Sequence, residues 1–441
     1  CLGGRGVNRS GPGVVVGFCY QCAILWLDLA VDRTFAKHLI IWSIVDRGWL
    51  RFRNDLRNLL EFSKKMKFYT GFLLLVFTLA NAEWIEPPLR SHKGYLVPVP
   101  DYTPFFPKDH GAHREYGLEW WYWVGHLQTE KGDRKYGFQS TVFRLAGDPN
   151  ESNSSESKSF GNRQLFLAHA ALSDRSNQTY LHSERVLREG WQARASRDTL
   201  DLQVAGIEAS MQEEGHGHQL ITRYPGGGKL EIELTPLKPL VRFGERGLSR
   251  KGDGAASVSW YWSYTRLEAR GTLDYKGEKQ SVKGVAWMDH EISSSQLGEG
   301  LEGWDWTCMQ LNDGTEVKAY RLRKDDGSSD RWSAVYWIDK KGGVQQVYAD
   351  QFSWEEEDDW TSSKTGLSYP TTVRITAKHP QYGKQSYRLR PCIEDQEFYG
   401  NRSDNAYWEG ACEVLDSENR IIGRAYLELA GYGGGLGARL N

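Results

Sequence analysis

The chain has 441 residues, long for one domain and natural for two, and its 55 basic and 57 acidic residues leave a net charge of −2. No basic field points to nucleic acid or an anionic membrane surface, so neither partner is expected. The outlier is an aromatic content of 13%, with 18 Trp, which calls for large apolar interiors or ligand-lined cavities where each ring is buried and its N–H met.

No methionine precedes Met66. From there Met66-Lys-Phe-Tyr-Thr-Gly-Phe-Leu-Leu-Leu-Val-Phe-Thr-Leu-Ala-Asn-Ala82 has a basic start, an apolar run and an Ala-x-Ala end, the pattern of a secretory leader cleaved before Glu83. A signal anchor at 68–79 is the alternative, but this run is shorter than the ~20 apolar residues that span a bilayer. Residues 1–65 then read as upstream translation outside the fold. The mature chain is expected to be exported, periplasmic or secreted, without a transmembrane span. An oxidising compartment permits one disulfide, Cys392–Cys412, with Cys308 left on a buried strand. Residues 83–104, rich in Pro, read as an extended arm along the first domain.

Glu119-Trp-Trp-Tyr-Trp-Val-Gly-His-Leu127 is the centre of the chain. At strand period one face carries Glu119, Trp121, Trp123 and Leu127, and the other carries Trp120, Tyr122, Val124 and His126. Both faces are apolar, so the strand is either a core strand covered on both sides or the wall of a pocket holding Glu119 or His126. The turn cluster Thr129-Glu-Lys-Gly-Asp133 leads to Tyr136–Arg144, giving a hairpin. Residues 148–162 read as a solvated loop whose Asn150 and Asn153 fit glycosylation sequons. Leu165–Ser173 is another buried strand, on which His169 is either a satisfied core histidine or a catalytic group.

Strands are predicted at Leu200–Ala205, Leu220–Tyr224, Leu230–Thr235, Ser257–Ala269, Gly271–Tyr275 and Val282–Met288, with no sustained helical period after Asp109. The hairpin then recurs as Gly303-Trp-Asp-Trp-Thr-Cys-Met-Gln-Leu311, Asn312-Asp-Gly314 and Glu316–Arg323, a weak internal repeat of two related β-domains. Further strands are predicted at Trp332–Asp339, Gln345–Phe352, Thr371–Ala377, Gln385–Arg390, Ala406–Val414 and Arg420–Tyr432. Glu355–Asp359 reads as a solvated acidic loop. The chain is all-β, with barrels or closed sandwiches as the expected architecture.

Two places could carry chemistry. Trp287-Met-Asp289-His290-Glu291 puts three titratable groups behind an indole, which serve either as acid and base or as a hydrogen-bonded corner between domains. Asp305 lies between Trp304 and Trp306, and is either a proton donor of raised pKa or the partner of Arg321 or Arg323. His290-Glu291 lacks the second histidine of a zinc helix, and no phosphate loop, nucleophile elbow or dinucleotide fingerprint is present, so no metal or cofactor is expected.

Phe106-Pro-x-Asp-His-Gly111, Glu119-Trp-Trp-Tyr122 with Gly125-His-Leu127, Gly137-Phe-Gln139, Ala168-His-x-Ala-Leu-Ser-Asp174, Gly284-x-Ala-Trp-Met-Asp-His-Glu291, Gly303-Trp-Asp-Trp306 and Tyr426-Leu-Glu-Leu-x-Gly-Tyr432 occur in order from about Phe105 to Tyr432. Together they resemble the AttH-like proteins, exported bacterial proteins often labelled secreted hydrolases and distantly related to carotenoid 1,2-hydratase. The resemblance implies two tandem lipocalin-like β-barrel domains, placed at 105–292 and 293–436. It also implies an envelope role beside an ABC-transporter permease. It carries over no catalytic residue. The expected function is binding of an apolar or lipid-like molecule, walled by Glu119, Trp121, Trp123, His126, His169, Trp287, Trp304 and Trp306. The alternative is a hydratase or hydrolase on an isoprenoid- or carotenoid-like substrate, with Asp289, His290, Glu291 and Asp305 as acid and base.

Overall fold

Alternating apolar residues bounded by Gly, Asn and Asp turns produce an all-β chain, seen in a computed structural model that describes residues 84–147, 149, 164–212, 217–400 and 406–434. The expected leader at 66–82, the segment before it, the sequons at Asn150 and Asn153, and Gly435 and Gly437 of the C-terminal glycine run lie outside the described residues. None of the described helices is long and apolar enough to cross a membrane.

The first sheet contains β1 (Leu118–Thr129), β2 (Lys135–Leu145), β3 (Leu165–Asp174), β4 (Thr179–Arg188), β5 (Ala193–Ala195), β6 (Asp201–Val204), β7 (Ile207–Met211), β8 (His218–Arg223), β9 (Lys229–Pro236), β10 (Val241–Arg242), β11 (Ser249–Arg250), β12 (Val258–Tyr275) and β13 (Glu278–Ser293). The second contains β14 (Leu301–Leu311), β15 (Glu316–Lys324), β16 (Ala334–Ile338), β17 (Val344–Tyr348), β18 (Phe352–Thr361), β19 (Ser368–His379), β20 (Gly383–Pro391), β21 (Glu397–Tyr399), β22 (Ala406–Leu415) and β23 (Ile421–Ala430). In each sheet the aromatic strand sits between its hairpin partner and the sheet's last strand: β2-β1-β13 in one, β15-β14-β23 in the other. The two sheets are lipocalin-like, and one is nearly barrel-shaped.

Three apolar cores follow from the two-sided aromatic strands. Trp121, Trp123 and Leu127 enter the interior of the first sheet, with Phe138, Leu234 and Leu273. Met309, Val317, Ile375 and Leu427 fill the second. The opposite faces meet between the sheets, where Tyr122, Val124, Tyr261 and Trp287 pack against Trp306, Tyr320, Tyr407 and Tyr426. Polar ties fix this contact. Gln310 Nε2 donates to the carbonyls of Thr265 and Ala286, each at 2.9 Å, and Gln139 Nε2 donates to Tyr407 Oη at 3.0 Å. Gly137 of β2 is placed where a Cβ would lie 2.7 Å from Ala411 Cβ and 2.9 Å from Tyr426 Oη, so only a glycine lets the sheets approach so closely.

Four expectations change. Ser257–Ala269 and Gly271–Tyr275 are one strand, β12, because Gly271 continues the ladder opposite Ile232 rather than turning it. Glu355–Asp359 is not a loop but part of β18, an edge strand with two bulges whose exposed charges discourage pairing with another chain. Asp289-His290-Glu291 is not a corner: β13 runs through it to Ser293. Cys308, Cys392 and Cys412 are free thiols, so the expected Cys392–Cys412 bridge is absent; Pro391, not Cys392, is the cross-strand partner of Cys412.

The proline-rich arm lies along the first sheet. Trp260 Nε1 donates to the Val99 carbonyl at 2.8 Å, and the Tyr102 ring stacks on Trp260 with centroids 4.1 Å apart.

Candidate functional site

Period-2 alternation on strands of both sheets builds the site. In the first sheet Tyr122, Asp289 and Ser263 are aligned across β1, β13 and β12, and the next row is Trp120, Glu291 and Tyr261. In the second sheet Tyr320, Trp306, Glu428 and Glu409 are aligned across β15, β14, β23 and β22. These rows face one another around a cavity of about 90 Å³, lined by Trp120, Tyr122, Tyr261, Asp289, Glu291, Trp304, Trp306, Tyr320, Tyr407 and Glu428 among others. An apolar cavity of ~150 Å³ accommodates benzene, so this smaller one has room for less than a ring, such as the reactive end of a longer molecule.

Asp289 is the most constrained acid on the wall. Trp287 Nε1 donates to its Oδ1 and Tyr261 Oη to its Oδ2, each at 2.6 Å, and Ser263 Oγ also donates to Oδ1. Burial pushes its carboxyl up, against the pull of Lys318 and these donors. Tyr261 in turn accepts from Trp306 Nε1 at 3.0 Å, so a chain of hydrogen bonds runs from the second sheet to Asp289. Lys318 is fully buried with its Nζ 3.2 Å from the Tyr261 ring centroid, and burial holds the amine well below its ordinary value. Glu291 pairs with Lys251 at 2.8 Å and accepts from Gln296 at 3.3 Å. Opposite them, burial raises Glu428 to about 7, helped by Asp289 and Glu291 and opposed by a hydrogen bond from Trp304.

Of the residues singled out in the sequence, Asp289, Glu291, Trp304 and Trp306 line this cavity, and Trp287 stands directly behind Asp289. The others do not. Alternation sends His290 to the opposite face from Asp289 and Glu291, so the three never form one acid–base cluster. Trp121 and Trp123 fill the first sheet's interior, with their indoles satisfied by the His110 carbonyl at 3.0 Å and by His218 Nε2 at 2.8 Å. His126 lies between the sheets, bonded to the Ala425 carbonyl at 2.9 Å, and burial lowers it to about 3. His169 stacks on Phe398 at 4.4 Å and meets Tyr407 Oη at 2.9 Å, behind the wall rather than on it. Asp305 points away from the cavity, paired with Arg323, with Arg321 Nε at 3.2 Å and Tyr432 Oη at 3.0 Å.

Glu119 belongs to a separate buried network. Its Oε2 accepts from Arg144 Nε at 2.8 Å and from the His113 N–H at 2.9 Å; its Oε1 meets His113 Nδ1 and His290 Nε2, both at 2.9 Å. Burial alone would raise this carboxyl, but Arg144, His113 and His290 hold it well below its ordinary value. His113, Glu119 and His290 are close enough to hold a metal ion. Arg144 already neutralises the carboxylate, however, and the donor set reads as an ion-pair network. Burial opposes charge on His113, yet Glu119 and Asp109 raise it from 6.5 to about 9. A raised folded pKa gives stability that is complete below about 6.5 and lost as pH rises through about 9. Thermal melts from pH 6 to 10 should show that loss in the native chain, and a flatter profile in His113→Gln. Parallel profiles would show that His113 is not charged in the fold.

Tyr122, Tyr261, Lys318, Tyr407, Glu409 and Glu428 went unselected in the sequence. For Glu428 a signal existed, a lone carboxylate between Leu427 and Leu429 in the otherwise apolar run from Ala425 to Ala430.

Comparison with known proteins agrees with this architecture. The chain is 32% identical to an AttH candidate from Nitrosomonas europaea of known crystal structure, with a TM-score of 0.67 over 76% of this chain and 98% of the other. It shares its fold with kievitone hydratase from Nectria haematococca, at 13% identity and a TM-score of 0.57 over 78% and 96% of the two chains. No curated protein matches it. The profile of the AttH-like family matches residues 97–432, and the chain belongs to that family.

Proposed function

We propose that this protein takes a small, largely apolar molecule into the cavity between its two sheets and adds water to it, or removes water from it, with Asp289 as the acid. The observation that carries this reading is the Asp289 carboxyl, set on an aromatic wall and held by three neutral donors rather than by an ion pair. Donors to a carboxylate stabilise the conjugate base, and burial favours the protonated form; together they make an acid able to give up a proton and take it back. In hydration, the acid proton bonds to one alkene carbon, water bonds to the carbocation left on the other, and the proton that water sheds returns to Asp289. The rings of Trp120, Trp304 and Trp306 line the cavity, and an indole face turned to that cation would stabilise it. The fold shared with a hydratase adds support at the level of architecture.

Binding without turnover is the second reading, favoured by the aromatic lining itself. Both readings retain two domains, at 105–292 and 293–436, and export through the leader at 66–82, with a permease of the ABC type as a partner. Incubating the purified mature chain with short isoprenoid alkenes in ¹⁸O-labelled water, with Trp fluorescence followed in parallel, separates them. Label in an alcohol product supports the hydratase reading. Fluorescence quenching without label supports binding alone, and neither signal would sink both.

A further inference from the structure

The second sheet's wall of the cavity holds Glu428, with Glu409 as its cross-strand neighbour, two carboxyl groups that the chemistry at Asp289 does not use. Glu409 and Glu428 are direct cross-strand partners on β22 and β23, a placement that sets Cβ atoms roughly 4.5–5.5 Å apart and makes like charges repel. Tyr122 Oη, from the first sheet, donates to Glu409 Oε1 at 2.6 Å. Glu409 Oε2 is buried without a hydrogen-bond partner. Glu428 lines the cavity beside Trp304 and Trp306.

The distribution of cations around the cavity is lopsided. Glu291 has Lys251, and the Nζ atoms of Lys251 and Lys318 sit over Tyr261 and Tyr320. Among the described residues no lysine or arginine pairs with Glu409 or Glu428, and none lies over Trp120, Trp304, Trp306 or Tyr407. Lys251 lines the same cavity and acts on Glu428, but it is paired with Glu291, so Glu428 and its neighbour Glu409, beside indoles with no cation over them, form a wall suited to a positive charge. We propose that this wall is an ammonium-binding subsite, in which Glu428 and the rings of Trp304 and Trp306 hold the cationic amine of an otherwise apolar ligand, with the charge of the neighbouring Glu409 adding to the pull. The proposal rests on the cavity being the ligand site. An amine there removes the repulsion between the two carboxyls, whereas a fatty-acid head would add a third negative charge. The subsite therefore selects amines over alcohols, and alcohols over carboxylates.

Calorimetric titration of the purified chain with hexylamine, hexanol and hexanoate at pH 7.5 tests this with one apolar chain and three heads. The expected result is that hexylamine binds at least tenfold tighter than hexanol, with hexanoate weakest. Glu428→Gln and Glu409→Gln should each remove the preference for the amine over the alcohol. If the variants do not fold, the native chain at pH 5 serves instead, because protonation of the pair should erase the preference there. Hexanol binding as tightly as hexylamine would overturn the subsite and leave the cavity reading standing, as would a preference that survives in the variants or at pH 5. If none of the three binds, both readings fall.

Discussion

Asp289→Asn should lower turnover by about 10²–10⁴-fold, the range for loss of a positioned general acid, while the melting temperature moves little. The substitution is nearly isosteric and keeps the local hydrogen bonds. The amide oxygen can still accept from Ser263 and Trp287, and the amide nitrogen can donate to Tyr261 Oη once that hydroxyl turns. Removing the negative charge does not strand a buried cation, because burial already holds the Lys318 amine well below its ordinary value and Asp289 only pulls it up. Single-turnover label incorporation and a thermal melt on the same preparation decide the matter. Full activity in a folded Asp289→Asn protein would falsify the assignment of the acid, whereas joint loss of activity and fold would make Asp289 structural.

Asp305→Asn should do the opposite. Asp305 is fully buried, and its oxygens meet Arg323, Arg321 and Tyr432 on the face of β14 that looks away from the cavity. Neutralising it leaves Arg323 without a facing anion, while Arg321 keeps Glu356 at 2.8 Å. Removing one partner of a buried ion pair costs roughly 3–5 kcal/mol, because the remaining charge stays desolvated. Ligand affinity in the cavity should be unchanged, since Trp304 and Trp306 keep their places. Denaturant unfolding with a parallel ligand titration measures both quantities. A loss under ~1 kcal/mol would mean that solvent screens the pair.

These opposite outcomes come from one property of strands that the sequence states only halfway. Periodicity separates Trp121 and Trp123 from Trp120 and Tyr122, and Asp305 from Trp304 and Trp306, but it does not say which face meets which neighbour. On β1 the face with Glu119, Trp121 and Trp123 turned into the first sheet, and the ligand-facing side fell to Trp120 and Tyr122. On β13 the same alternation split Asp289-His290-Glu291 between the cavity and the Glu119 network.

Local pattern was enough to determine the all-β class, the two hairpins built on aromatic strands and the family. These depend on residue types at short spacing, where turn chemistry and side-chain period act directly. The tertiary structure alone decided that the cavity lies between the sheets rather than inside one. It also decided that Tyr122 of β1 reaches Glu409, 287 positions along the chain, and that Glu409 and Glu428 are cross-strand neighbours. Such contacts arise from packing two sheets face to face, and their partners are too far apart along the chain for any local period to record them.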